Sequence, residues 1–252
     1  MLAAERHHLI LDRAREAGVV RTVDLARDFN VAEETIRRDL DLLARRGKLH
    51  RTHGGATNPA SRLGELSHLE RQSQEKSEKT AIAREAAKLV REGETVLLDA
   101  SSTVLELAAC LPANLRVVTY SLAVVERLAN RSDLEVLQLG GTYEVRGRRF
   151  GGLLTENAVR SLRIDRFFFS GRGLDPKLGV SEPNQEQARL KSLMLHHAAW
   201  SCALIDHTKF DLRSDYFFAK PGEFHALVTD PASRRMARTT FKSMPYQIHF
   251  SA

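Results

Sequence analysis

Residues 24–55, "DLARDFNVAEETIRRDLDLLARRGKLHRTHGG", decide how the first part of this chain folds. Leu25, Ala26 and Phe29 share one face of a helix over roughly Val23–Phe29. Asn30 and Val31 make a short turn. A second helix then runs from about Glu33 to Arg46. Its apolar residues Ile36, Leu40 and Leu43 fall on a single stripe. The side away from that stripe carries Glu34, Arg38, Asp41 and Arg45, with Thr35 and Arg37 on its flanks. Gly47 stops the helix, and "GKLHRTHGG" continues as a short strand, a basic tip and a Gly-Gly turn.

A helix buried along one stripe, with a hydroxyl and guanidinium groups on its other side, suits the major groove of double-stranded DNA. Arg bonds two acceptors of guanine at once, and the early turns of such a helix approach the base edges. The basic hairpin is laid out as a wing, whose Lys48, Arg51 and His53 are placed to meet phosphates or the minor groove. Any one of these arginines taken alone reads better as a solvated face. The combination of helix, turn, helix, glycine stop and basic hairpin does not.

These residues also carry a family resemblance. "ETIRRDLDLLARRGKLHRTHGGA" is similar to the N-terminal motif of the DeoR/GlpR family of bacterial transcriptional regulators, in both its Thr-Ile-Arg-Arg-Asp-Leu run and its His-Gly-Gly-Ala wing. The family usually has Ser just before the second helix, where this chain has Ala32. Losing a hydroxyl cap there forgoes about 1 kcal/mol.

Upstream, residues 4–17 read as a first helix ended by Gly18, so residues 1–57 form a three-helix winged unit. From 58 to 77 the periodicity fades through Pro59, Gly64 and several Ser and Gln, which reads as a linker with a helical turn near 66–71. Residues 78–252 then alternate apolar runs with amphipathic helices. Strands such as "TVLL", "LRVVT", "LEVLQL", "DRFFF", "SCALI", "HALVT" and "YQIHF" are largely continuous apolar runs alternating with helices, which implies a mostly parallel sheet covered on both faces. A helix is expected through "SRRMARTTFKSM". The fold class is therefore α/β, a winged helix-turn-helix followed by a larger parallel-sheet domain.

In such sheets ligands sit beyond the C-terminal strand ends. Those ends offer Asp99 with Ser101, Ser102 and Thr103; Tyr120 with Ser121; Gly140 with Gly141; Arg172 within "SGRG"; and Asp206 with Lys209. Hydroxyls and N–H groups at helix starts, together with Arg172 and Lys209, suit a small hydroxylated anion such as a phosphorylated sugar. Ser or Thr at a helix start is more often a cap, Gly-Gly more often a turn, and Tyr120 more often packing. The resemblance extends through these loops: "DASST", "TYS", "DHTKF" and "EQARLKSLM" are similar to family motifs, with Ser102, Tyr120 and Gln187 as departures. It implies a fold like ribose-5-phosphate isomerase and CoA transferases, used as a sensor and an oligomerisation domain, with Lys191 among the effector contacts.

Composition bounds the rest. The chain has 252 residues, 42% of them hydrophobic, and a net charge of +6. Residues 37–51 hold 6 Lys and Arg against 2 Asp and Glu, whereas residues 1–58 hold 11 against 9. The basic patch is therefore local. No long uncharged apolar run spans a membrane, and the N-terminus is no signal peptide, so a cytoplasmic protein is expected. Cys110 and Cys202 sit in apolar stretches as free thiols, and neither a metal nor a cofactor is expected, there being no P-loop and no GxGxxG. The expected function is a DNA-binding regulator, a repressor of a sugar operon, acting as a homodimer or homotetramer under a phosphorylated effector. The alternatives are a sugar-phosphate isomerase or CoA-transferase type of enzyme with a fused DNA-binding domain, and an adaptor whose winged unit binds protein. The strand-end loops hold no acid–base pair that would favour the enzyme.

Overall fold

The structure is a computed structural model that describes residues 2–17, 19–46, 48–52, 54–57, 68–234, 236 and 244–252. The chain divides into two compact units, Met1–Glu65 and Leu66–Ala252.

The first unit contains α1 (Ala3–Ala17), β1 (Val19–Arg21), α2 (Thr22–Phe29), α3 (Glu33–Arg45), β2 (His50–Thr52) and β3 (Gly55–Thr57). Its core gathers Ile10, Ala14, Leu25, Phe29, Ile36, Leu40, Leu43 and Leu49, so the apolar stripes read from the sequence are the buried ones. Asn30 ends α2 in the left-handed region, at φ 52°, a conformation Asn tolerates better than most residues. Val31 N–H then donates to Ala26 O at 3.0 Å, which sets the tight connection to α3. The wing is a three-stranded antiparallel sheet in the order β1-β3-β2. The strand β1 is an addition to the sequence reading, in which "VVR" led straight into the helix pair. A Cβ on Gly55 would lie 1.9 Å from Val20 O, so glycine there is what lets β3 lie against β1. Gly18, Gly47 and His53 lie outside the described residues.

In the second unit, α4 (His68–Ser73) and α5 (Lys76–Ala87) come first. Of the stretch expected as a linker, 58–67 lies outside the described residues, while 68–77 consists of α4, a turn and the start of α5. The central sheet comprises β4 (Thr95–Leu98), β5 (Leu115–Thr119), β6 (Leu134–Gln138), β9 (Ile164–Phe169), β12 (Ala198–Leu204), β14 (Ala226–Thr229) and β15 (Gln247–Phe250). These strands are parallel throughout, in the order β15-β14-β12-β9-β4-β5-β6. Period-two alternation divides its side chains between two cores. Phe167 and Phe169 face one with Leu97 and Val118, and Phe168 faces the other with Val96, Leu98 and Val117. Helices α5, α6 (Ser102–Cys110) and α7 (Leu122–Leu128) cover one face, and α8 (Leu153–Arg160) with α9 (Gln185–His197) cover the other.

Two smaller sheets were not read from the sequence. The hairpin of β7 (Thr142–Glu144) and β8 (Arg149–Gly151) follows β6, and an antiparallel trio joins β10 (Gly173–Asp175), β11 (Gly179–Glu182) and β13 (Tyr216–Ala219). The helix expected around 233–244 falls mostly on residues 235 and 237–243, outside the described residues. Cys110 and Cys202 are free thiols. Among the described residues no helix is long and apolar enough to cross a membrane.

Candidate functional site

On α3 the two faces separate cleanly. Ile36, Asp39, Leu40 and Leu43 are buried. Arg37 and Arg38 point outward, their side chains 54% and 79% exposed. Their contacts are local pairs: Arg37 with Glu33 at 3.1 Å and Glu34 at 3.5 Å, and Arg38 with Glu34 at 3.4 Å. Exposed pairs of this kind contribute about 0.5 kcal/mol, so phosphate or base acceptors can exchange for the glutamates. Glu34, Arg45 and Lys48 are also exposed, and Thr35 is half-buried. The residue that caps α3 is Ala32, with no side-chain cap; its carbonyl accepts Thr35 N–H at 2.9 Å. Arg51 departs from its expected place as a free phosphate contact. Its Nε donates to Asp41 Oδ1 at 2.6 Å, and its Nη1 donates to the carbonyls of Thr52 and Gly55. Arg51 thus ties the wing to α3.

In the second unit the chain reverses direction of growth between β4 and β9, and the crevice beyond their C-terminal ends is the switch point of the sheet. Asp99 leaves β4 fully buried. Its Oδ1 accepts Ser101 N–H at 2.8 Å and its Oδ2 accepts Ser170 N–H at 3.0 Å, which ties the two strand ends together. The ammonium of Lys191, brought by α9, stands 2.8 Å from Asp99 Oδ2 and 2.5 Å from Glu182 Oε1, and donates to Ser170 O at 2.8 Å. Burial works against the charge on Lys191, but the two carboxylates outweigh it and raise its pKa. A lysine so held remains an ammonium, suited to fixing the site rather than to taking a proton.

Around this centre lie groups with less to hold. Lys209 Nζ donates to Ser170 Oγ at 3.0 Å and stands 3.4 Å from Asp206 Oδ2. Asp206 is buried; despite that burial, Lys209, the Thr208 hydroxyl and Lys79 keep its carboxyl below the usual range. Thr103 Oγ1 is buried and has no hydrogen-bond partner among the described residues. The guanidinium of Arg172 makes no ion pair or hydrogen bond among the described residues, and burial lowers its pKa. Lys79, on α5, donates to Arg71 O at 2.6 Å and to Gln74 O, and burial brings its pKa down to about 8. Leaving a buried donor unmatched costs on the order of 1–3 kcal/mol, so this rim of cations and one hydroxyl favours an oxyanion.

Other strand-end residues are spent on architecture. Ser101 Oγ caps α6 by accepting Val104 N–H at 3.3 Å, and Ser121 Oγ caps α7 in the same way through Val124. Ser102 is buried at the start of α6. Tyr120, expected as an effector contact, has no exposed surface: the hairpin covers it, with Phe150 N–H donating to Tyr120 O at 2.8 Å, and its hydroxyl reaches Gln187 Oε1 at 3.3 Å. Gly141, at φ 140°, packs so close that a Cβ would meet Gly151 O at 2.4 Å, and Thr155 Oγ1 donates to Gly140 O at 2.6 Å. These two glycines serve the junction of hairpin and α8. A cavity of about 290 Å³ lies beside that junction, lined by Tyr143, Glu144, Arg149, Glu156, Glu186 and Arg189 among others. Its two guanidiniums face three carboxylates, Glu144, Glu156 and Glu186, so its lining disfavours an anion. The sequence reading missed Glu182, Lys79, His68 and Arg71, because each belongs to an element remote from the strand ends in sequence.

The N-terminal unit matches the DeoR-like helix-turn-helix domain over residues 6–62, and the second unit matches the DeoR C-terminal sensor domain over residues 74–231. The chain belongs to the DeoR family. This DeoR-family member is 35% identical over 231 residues to the HTH-type transcriptional regulator YulB of Bacillus subtilis, covering 91% of this chain and 90% of the relative. It is 34% identical to the L-fucose operon activator of Haemophilus influenzae, covering 89% and 91%. It is 32% identical to the HTH-type transcriptional regulator GlpR of Haloferax volcanii, covering 91% of each. Among solved structures, ribose 5-phosphate isomerase A from Neisseria gonorrhoeae aligns at a TM-score of 0.40 and 17% identity over 54% of this chain and 53% of the isomerase. The DeoR-family chain is accordingly a DNA-binding transcriptional regulator and not an enzyme.

Proposed function

We propose that this regulator holds operator DNA through α3 and the wing, and that a phosphorylated sugar or a closely related anionic polyol bound at the β4–β9 crevice loosens that hold. The carrying observation is a set of groups at the crevice that lack direct partners among the described residues: Arg172, which feels Glu182 and Asp206 but makes no ion pair or hydrogen bond with them, and Thr103 Oγ1, beside Lys209 and the buried Lys191. Ser102 and the N-terminal amides of α6 lie at the same strand end and suit a phosphate oxygen. In this reading Asp99 and Lys191 shape the crevice, while Thr103, Arg172, Asp206 and Lys209 meet the ligand. On the DNA side Thr35, Arg37 and Arg38 face base edges, with Glu34 beside them, and Arg45 and Lys48 face phosphates. The reading also places residues 1–57 as the DNA-binding part and 78–252 as the sensing and oligomerising part, in a cytoplasmic homodimer or homotetramer that spans paired half-sites.

One relative, an L-fucose operon activator, supports a sugar effector by name; another is the transcriptional repressor AccR of Agrobacterium fabrum. Both signs of regulation occur among them, and release of DNA on effector binding is our reading for this chain. Coupling between the two sites is reciprocal and typically 1–3 kcal/mol. The test is fluorescence anisotropy on a duplex selected in vitro by the full chain, with and without a panel of sugar phosphates, paired with thermal shift. At least one sugar phosphate is expected to raise the melting temperature and weaken DNA binding about 5- to 150-fold. A panel that shifts neither quantity overturns the effector assignment, and DNA retention that ignores salt overturns the DNA interface.

A further inference from the structure

The helix α4 is the first described element after residues 58–67, and its inward side chains have few partners. His68 is 1% exposed, and both of its ring nitrogens are buried without a hydrogen-bond partner among the described residues. Arg71 Nε and Nη2 are buried in the same condition. These groups lie at the crevice: Arg71 is close enough to act electrostatically on Arg172, Lys79 and His68, and Asp99 acts on His68. The carboxylates at hand are committed elsewhere. Asp99 and Glu182 face Lys191, and Asp206 faces Lys209.

His68 N–H donates to Arg146 O at 2.9 Å, and Lys79 caps the other end through Arg71 O and Gln74 O. The joint to α5 passes through Glu75, a non-glycine residue in the left-handed region at φ 45°, which its surroundings must hold in place. A short helix that brings one guanidinium and a neutral imidazole, both with buried nitrogens unmatched among the described residues, to an anion-binding crevice, and that is joined by a strained residue, is built to be fixed by the anion.

We propose that α4 is the moving part of the sensor: the phosphoryl group of the effector bridges Arg71 on α4 and Arg172 beyond β9, with His68 as a further donor, so that ligand binding pins the helix that directly follows the chain segment leading from the DNA-binding unit. This rests on the crevice being the effector site and names what the effector does there. It assigns Arg71 and His68, which lie outside the strand-end loops, as ligand contacts, and it makes order in α4 the signal.

The test uses the full chain, with inorganic phosphate and ribose 5-phosphate as probes. Hydrogen exchange is followed by mass spectrometry, and affinity by calorimetry. Either probe is expected to slow exchange across 68–75 together with 99–104. Arg71→Met should bind about 10- to 100-fold more weakly, the usual worth of a charge-assisted hydrogen bond, and lose the slowing at 68–75. Because Arg71→Met removes a buried charge without a counter-ion, its ligand-free melting temperature should hold or rise, whereas a merely structural arginine would lower it. Arg71→Lys, which keeps the charge and loses the fork, should fall between. Binding that protects 99–104 while exchange at 68–75 and the affinity of Arg71→Met stay as in the parent chain overturns this proposal and leaves the effector site standing. A melting temperature that falls in Arg71→Met, with affinity unchanged in Arg71→Lys, likewise assigns Arg71 to packing. No binding of either probe, with no slowing anywhere, overturns the proposal and the effector assignment together.

Discussion

Asp39, on the buried side of α3, accepts Arg6 Nε at 2.6 Å and Arg6 Nη2 at 3.2 Å, and His7 Nε2 stands 2.7 Å from its Oδ1. Asp39 and Arg6 are each 7% exposed. One carboxylate therefore ties α1 to the helix whose opposite side carries Arg37 and Arg38, and orients that exposed side from behind.

Asp39→Ala should cost about 3 kcal/mol in urea unfolding of the N-terminal unit, because Arg6 is left buried without its acceptor. The double variant Arg6→Met, Asp39→Leu should recover most of that loss. Burial pushes the Asp39 carboxyl up, but Arg6 and His7 more than offset it, and its pKa lies below the usual carboxylate value. A depressed folded pKa adds stability above the unfolded value, and that part is lost as pH falls through the folded one. The parent chain should lose this increment on acidification below about pH 4, and Asp39→Ala should not.

Arg38 and Lys48 should separate base reading from phosphate contact. Arg38→Ala is expected to cost about 1–3 kcal/mol on the selected duplex and to relax preference at one position. Lys48→Ala should weaken all sequences alike and reduce the salt slope by about one. Equal losses on selected and random duplexes for Arg38→Ala would remove its role as a base contact.

Gly55→Ala places a methyl group 1.9 Å from Val20 O, where backbone must give way. The expected penalty is about 1–3 kcal/mol, with loss of the β1–β3 pairing visible as faster amide exchange at Val20 and Arg21. An unchanged melting curve would show that the wing does not need this close approach.

Lys191→Met leaves Asp99 and Glu182 buried and facing each other without their ammonium. Loss of about 3–5 kcal/mol is expected in the second unit.

His68 should make the second unit acid-sensitive. Burial first, then Arg71, Arg148 and Arg149, bring its pKa down to about 4 from an ordinary 6.5. The unfolded chain thus binds a proton between those values that the folded chain does not, and stability falls as pH drops from 6.5 toward 4. The span corresponds to roughly 3 kcal/mol. Melting temperature against pH should show that slope in the parent chain and lack it in His68→Gln. Identical slopes would place the acid sensitivity elsewhere.

The helices of the winged unit were legible because local periodicity alone separates a buried stripe from a charged one, as at Ile36, Leu40 and Leu43. Asp39 was legible only in part: it falls on that same stripe, and a carboxylate there needs a partner that no local pattern names. The small antiparallel pieces were not legible, since β1, β7 and β8 are 3 residues each and have no periodicity to read. Tyr120 had the position of a ligand contact and proved to be core, because the hairpin folds back over the end of β5. Arg51 had the charge of a phosphate contact, and its pairing with Asp41 across the wing was not legible.

The order of residues by itself determined that this chain reads DNA with a winged helix, that a parallel sheet follows, and which loops stand at its strand ends. Those properties follow from the spacing of apolar side chains and the placing of glycines, which act over a few residues. Only the tertiary structure decided which of those loops converge. It set Ser170 against Asp99 and Lys191 between two carboxylates, and it brought His68 and Arg71 within electrostatic reach of Asp99 and Arg172. Electrostatic complementarity depends on distance in space, and the long-range pairing of parallel strands sets those distances in a way no local pattern records.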